Sequence, residues 1–209
     1  MARPSNTEQR REQIARALLK VMARKGYDGA SIANVAAAAH LASGVVHYHF
    51  KDKQEILITA LRDLVGEHAA ALDEKERAAG ADAASKVAAF IDFHLGLGAD
   101  ANAEILACWV MLSGEALRQP KVRSEHEKAL ASIAGRLQAI IQEGMQAGTF
   151  RCEDAAAAAS ALVAVVQGYF VLAAVARSVI PRGSAATATR HMADGLLRPR
   201  RPFESREDT

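Results

Sequence analysis

Cysteine is nearly absent: Cys108 and Cys152 are the only two in 209 residues, and they form no CxxC pair. A disulfide framework is excluded, and this usage fits a reducing cytosol. No run of alternating β-branched residues occurs, so no sheet is expected. Common catalytic signatures are missing too. There is no GxSxG, HExxH, phosphate loop or dinucleotide fingerprint. His94, Glu104 and Glu115 have acid–base chemistry but no evident partner nucleophile, so an enzyme is not expected. The opening stretch MARPSNTEQRREQIARALL lacks an apolar core before a small-residue cleavage site and does not read as a secretory leader. Net charge is only +2, too little for a general basic coat protein.

What is present is apolar mass and helix-forming residues. Half of the residues are hydrophobic, enough for a sizeable core. One stretch, Ala155 to Ala176, has the length of a bilayer span. It is mostly alanine and carries Ser160 and Gln167, and an all-round apolar helix also suits a bundle core or a subunit interface. A membrane partner is therefore not expected, and the location expected is cytoplasmic.

Periodicity and punctuation give about nine helices. In the first, from about Thr7 to Lys25, Ile14, Ala17, Leu18, Val21 and Met22 form one apolar stripe, and Gly26 stops it. Two short helices follow, SIANVAAAA capped by Ser31, and Gly44 to Phe50. A long helix over Asp52–Ala79 comes next, with Asp52 as its cap and Gly80 as its stop. The remainder are expected at about Ala83–Leu97, Asn102–Arg118, Lys121–Ala147, Asp154–Ser178 and Ser184–Leu197, with Pro120 starting the third of these. Charge is unevenly placed. Residues 1–60 hold nine Lys and Arg against five acids, an excess of +4, so the remainder carries −2. A basic end on a near-neutral body suggests that this end meets an anion. A DNA-packaging protein would instead spread its basic residues over the whole body.

The stretch SGVVHYHF then has a reading. SIANVAAAA, HLAS and GVVHYHF have the dimensions of a helix-turn-helix, whose second helix enters the major groove. Ala36 is small where the helices cross, Leu41 is an apolar plug, and Ala42, Ser43 and Gly44 allow close approach to DNA. His47 and His49 are two residues apart and diverge around a helix, so they cannot share one metal ion. Even with His40 beside one of them, no acid or cysteine completes a site. No metal or cofactor is expected.

These residues resemble the TetR family of transcriptional regulators. The resemblance runs from about Gln9 to Leu61 through Gly26, Tyr27, Ser31, Ile32, Ala33, Ala36, Gly44, Tyr48, Phe50, Lys53 and Leu57. His40 stands where the family usually has glycine, and His47 where it usually has tyrosine. Histidine tolerates positive φ better than most residues and can donate a hydrogen bond to phosphate, which makes pH-sensitive DNA binding conceivable. Motif and resemblance together nominate Ser31, Ala42, Ser43, Gly44, Val45, His47, Tyr48, His49 and Lys53 for DNA contact. Ser43, Gly44 and Val45 are assigned to base edges, and Lys53 with its helix N-terminus to phosphate.

The resemblance implies an all-α fold in two domains. A three-helix helix-turn-helix DNA-binding domain is expected over 1–51, and a larger helical bundle for ligand binding and dimerisation over 52–198. A disordered tail is expected over 199–209. It also implies a homodimer paired through the two C-terminal helices, a palindromic double-stranded operator, and repression relieved by a small-molecule effector. An activator or a corepressor-dependent regulator of the same fold stays open. The effector pocket is expected among the middle helices, lined by His68, Phe90, Phe93 and His94, with Trp109, Met111, Glu115, Met145 and Tyr169. Around Trp109 the chain is similar to the choline-responsive repressor branch of the family. Trp109 with Glu104 or Glu115 would hold a quaternary ammonium by cation–π attraction, the alternative being a larger apolar ligand.

Overall fold

The computed structural model describes residues 6–96 and 103–203. Among these residues the regular structure is entirely helical. The helices are α1 (Asn6–Lys25), α2 (Ile32–Ala38), α3 (Ser43–His49), α4 (Lys53–Ala79), α5 (Ala83–Leu95), α6 (Ala103–Arg118), α7 (Pro120–Gln146), α8 (Ala155–Val175) and α9 (Ser184–Leu197), with a 3-10 turn at Arg177–Val179. The helix end expected at Leu97 and the start expected at Asn102 lie outside the described residues. The compact units do not divide at residue 51. One runs as far as His68 and takes in Glu104–Lys128; the other comprises Ala69–Ala103 and the chain from Ala129 onward.

The first unit is held by a core that starts on α1. Ile14, Leu18 and Met22 recur every four residues and are fully buried. They share a core with Val35 of α2, Val46 of α3, and Ile56, Leu57 and Leu61 of α4, and this core continues into Trp109, Leu112 and Val122. That continuity joins the first three helices to Glu104–Lys128 in one compact unit. Helices as short as α2 and α3, seven residues each, do not persist alone in water. Burial of each large aliphatic side chain contributes about 1.5–3 kcal/mol and holds them. Gly26 ends α1 at φ +69°, a left-handed conformation open to glycine, and its N–H reaches the Met22 carbonyl at 2.9 Å.

In the second unit, Phe90 and Ile91 of α5, Leu137 and Ile141 of α7, Leu162 and Val166 of α8 and Leu197 of α9 are buried. Gly144 of α7 is required by packing: a Cβ there would overlap the Phe150 ring and meet Ala83 Cβ at 3.0 Å. Arg136 grips both oxygens of Glu76, at 2.9 and 2.6 Å, and also pairs with Asp73. Buried Arg190 pairs with Asp92.

Two expectations are corrected here. α8 stops at Val175, short of Ser178, and tightens into the 3-10 turn, whose last bond (Ile180 N–H to Arg177 carbonyl, 3.2 Å) accompanies burial of Ile180. Burying that residue competes with another helical turn. The tail is not free from residue 199: the Arg200 N–H donates to the Thr149 carbonyl at 3.1 Å and the Phe203 N–H to Asp194 Oδ1 at 2.8 Å. Phe203 is the reason, being buried with its ring 6.2 Å from that of Phe150. Residues 204–209 lie outside the description.

α8 is long and apolar enough to cross a membrane by length and composition, yet only a third of its most apolar window is buried within the chain. Its exposed residues form a stripe: Ala157, Ala161, Ala164, Gly168, Val171 and Val175 recur at intervals of three and four. On α9, Met192 and Leu196 are exposed too.

Candidate nucleic-acid interface

The turn between α2 and α3 is built around His40. Its φ of +55° is left-handed, as the position requires. The His40 N–H donates to the Ala37 carbonyl at 3.1 Å and the Leu41 N–H to the Ala36 carbonyl at 2.9 Å. Those two bonds make a Schellman motif, which terminates α2 and satisfies its last carbonyls. Half-buried Leu41 packs against the core as the plug. Ser31 opens α2: its hydroxyl accepts the Asn34 N–H at 3.1 Å. Ser31 is thereby committed to capping, although it remains exposed.

α3 is anchored from beneath and open above. Val46 and Phe50 are buried, while Ala42, Ser43, Gly44, His47 and Tyr48 are exposed, and Val45 and His49 are half-buried. Tyr48 stands 83% exposed, an unusual cost for so large a ring. Its ring meets His49 edge-on at 5.1 Å. Arg11 of α1 fixes the far end of α3. Its guanidinium donates to the His49 carbonyl, pairs with Glu55 at 2.8 Å and lies 4.0 Å from the Phe50 ring centroid. Glu55 is held below the usual carboxylate range, first by the Lys51 N–H and then by Arg11. Asp52 caps α4 by accepting the Glu55 N–H at 2.8 Å.

Lys53 also makes contacts within the chain. Its ammonium donates to the Tyr27 carbonyl at 2.7 Å and sits 4.1 Å over the Tyr27 ring. It pins the turn after α1 to the start of α4. Lys51, two residues earlier, is exposed. KDK offers two lysines around one cap and no periodic signal to choose between them.

The residues expected to line an effector pocket fall into two sets. In the second unit, His94 collects Phe90 (4.1 Å), Phe93 (5.2 Å) and Phe170 (6.4 Å) around its ring, and its Nδ1 lies 2.7 Å from the Phe90 carbonyl. Phe170 lies in the apolar stretch of α8, where spacing alone does not set it apart. Met145 and Tyr169 are half-buried in the same unit, and Met145 sulfur lies 3.4 Å from that of Cys152. In the first unit, Trp109 is buried, with the His68 ring at 6.3 Å and the His126 ring at 6.0 Å. Met111 packs at the edge of that core. Glu115 is buried, but its two oxygens accept from Arg118 and Gln119, each at 2.7 Å. Its charge is already answered, so it does not fit the expected role as counter-ion to a ligand cation. The side chain of Glu104 lies outside the description. His126 also escaped sequence reasoning, since a single histidine in a charged stretch carries no signal of burial.

A short, outward-facing helix after a left-handed turn, on a scaffold that buries its other side, defines a helix-turn-helix DNA-binding protein. Residues 14–60 match the family model "Bacterial regulatory proteins, tetR family", and residues 97–198 match "BetI-type transcriptional repressor, C-terminal". The chain is 31% identical over 144 residues to the fatty acid metabolism regulator protein of Bacillus subtilis, spanning 66% of this chain and 70% of that one. It is 27% identical over 199 residues to the HTH-type transcriptional regulator BetI of Burkholderia mallei, 92% and 96% of the two chains. Among solved structures, a transcriptional regulator from Rhodococcus sp. Rha1 superimposes with a TM-score of 0.79 at 27% identity, covering 93% of this chain and 97% of that one. A regulator from Saccharomonospora viridis, solved in complex with choline, has the same fold at a TM-score of 0.76 and 22% identity, over 95% and 100% of the chains. The protein belongs to the TetR family of ligand-responsive transcriptional regulators and is not an enzyme.

Proposed function

We propose that the protein is a cytoplasmic homodimeric repressor that leaves a palindromic operator when a small-molecule effector binds. The observation that carries the DNA half is the outer face of α3, where Ser43, Gly44, His47 and Tyr48 are exposed together while Val46 holds the helix down. Small residues at the start of α3 let its backbone approach base edges, with Ala42 and Val45 beside them. His47, Tyr48 and His49 supply donors and rings for phosphate and bases, and Lys51 and Lys53 supply cations. The repressor sign is supported by the description of the matched C-terminal model.

The dimer rests on the stripe of small and apolar residues exposed along α8, with Met192 and Leu196 of α9. Such a stripe permits close helix approach, and a twofold pair presents two recognition helices to two half-sites one DNA turn apart. α4 begins at the recognition motif and runs on into the other compact unit, so a ligand that shifts it changes the half-site spacing. The test is operator binding by wild type and by the Val175→Glu variant, with sedimentation run alongside. The proposal expects a wild-type dimer and a variant that is monomeric and binds at least tenfold more weakly. A variant that stays dimeric, or a monomer binding as tightly as wild type, contradicts it.

A further inference from the structure

The first unit holds a buried polar atom that its own residues leave unanswered. His126 of α7 is 8% exposed and Trp109 of α6 is 5% exposed, and Ser113 lies one helical turn beyond Trp109. The Ser113 hydroxyl is 3.1 Å from the Trp109 carbonyl and 3.2 Å from His126 Nε2. A carbonyl can only accept, so the hydroxyl proton goes to Trp109. The hydroxyl oxygen then accepts, and Nε2 must carry the proton it receives. Burial disfavours the charged ring, which keeps His126 neutral. Its Nδ1 is therefore a bare lone pair, and it is buried with no hydrogen-bond partner among the described residues. An unmet buried acceptor is unfavourable, and a donor brought from outside removes that penalty.

We propose that His126 Nδ1 is an acceptor in the effector site. It selects a small organic ligand carrying an O–H or N–H donor, an alcohol or amine, whose carbon body rests against Trp109. This rests on the reading of the protein as effector-responsive and narrows the ligand class. Carboxylates, ethers, esters and plain hydrocarbons offer no donor and are discriminated against. A hydroxyl-bearing cation is accommodated as well as a neutral alcohol, because the Trp109 face attracts a cation and a neutral His126 does not repel it. Specificity of this kind is strong, since the wrong ligand leaves the buried acceptor unmet.

Trp109 is the sole tryptophan, so its fluorescence reports on this site directly. The full-length protein is titrated with two matched pairs, choline against its O-methyl ether, and 1-hexanol against methyl pentyl ether. Nitrogen-15 spectra of the histidine rings are recorded in parallel. The expected result is a proton on Nε2 of His126 in the free protein, and at least one donor-bearing member binding roughly tenfold or more tightly than its ether. His126→Phe, checked for helix content and operator binding, abolishes that preference. A proton on Nδ1, equal binding within both pairs, or no binding by any of the four probes overturns the proposal. Operator selection by the same preparation separates the two failures. If it persists while the donor preference is absent, the regulator reading stands and only the His126 assignment falls.

Discussion

The recognition helix α3 buries one of its seven residues, Val46, within the chain, whereas α8 buries seven of its twenty-one. Both leave a full face uncovered, but the chemistry of the two faces is opposite. On α3 the open face is a serine, a glycine, a histidine and a tyrosine whose ring is almost wholly in water. Donors and a flat ring there suit an anionic, hydrogen-bonding surface. On α8 the open face is alanine, glycine and valine, with Val175 69% exposed, which suits another apolar helix and nothing charged. The local supports differ accordingly. α3 is fixed by polar pins, Arg11 on its last carbonyl and the Schellman turn before it, while α8 is fixed by packing on Leu162, Val166 and Phe170. A partner is thus specified by what a helix leaves outside, and the manner of anchoring keeps that face clear.

Substitutions sharpen this contrast, beginning with the largest effect. Phe50→Ala removes the ring under Arg11 and in the head core. It is expected to cost about 3–5 kcal/mol, seen as a lowered unfolding midpoint in urea, with operator binding lost as the head melts. Tyr48→Ala should leave the midpoint within about 0.5 kcal/mol of wild type and weaken the operator complex roughly tenfold to hundredfold in fluorescence anisotropy. If Tyr48→Ala instead unfolds the head, the open face of α3 is structural. A smaller effect is expected at His126, whose pKa burial lowers from 6.5. The unfolded chain binds the proton more readily, so the contribution of His126 to stability is full above pH 6.5 and is lost as pH falls through the lowered value. Melting of wild type and His126→Phe between pH 7.5 and pH 5 should show wild type losing more stability on acidification. The smallest effect is His40→Gly. Relieving a non-glycine at φ +55° should stabilise by about 0.5–1 kcal/mol, less the entropy that glycine adds to the unfolded chain, and leave DNA affinity intact.

The head was legible because its constraints are local. The stripe Ile14, Leu18, Met22, the cap Ser31, the left-handed position at His40 and the plug at Leu41 each leave a mark in spacing or residue type, and each stands where expected. The long helices were legible to within a few residues for the same reason. What the sequence leaves unmarked is non-local. Nothing near Phe203 announces that it packs on Phe150, so the tail was misread. Nothing near Lys53 announces that Tyr27 claims its ammonium, or near Glu115 that Arg118 and Gln119 take both its oxygens. The two sets of residues expected to line a pocket, around His94 and around Trp109, lie in different compact units, and one-dimensional spacing cannot sort them. His126 shows the same limit, because its burial is set by helices far away in sequence.

The most direct measurement is selection of genomic fragments by the purified protein at physiological salt, since affinity depends on salt, with Tyr48→Ala run in parallel. The account predicts enrichment of one or a few palindromic sites by wild type and loss of that enrichment in the variant. Uniform, salt-sensitive retention of all fragments by both proteins would contradict it.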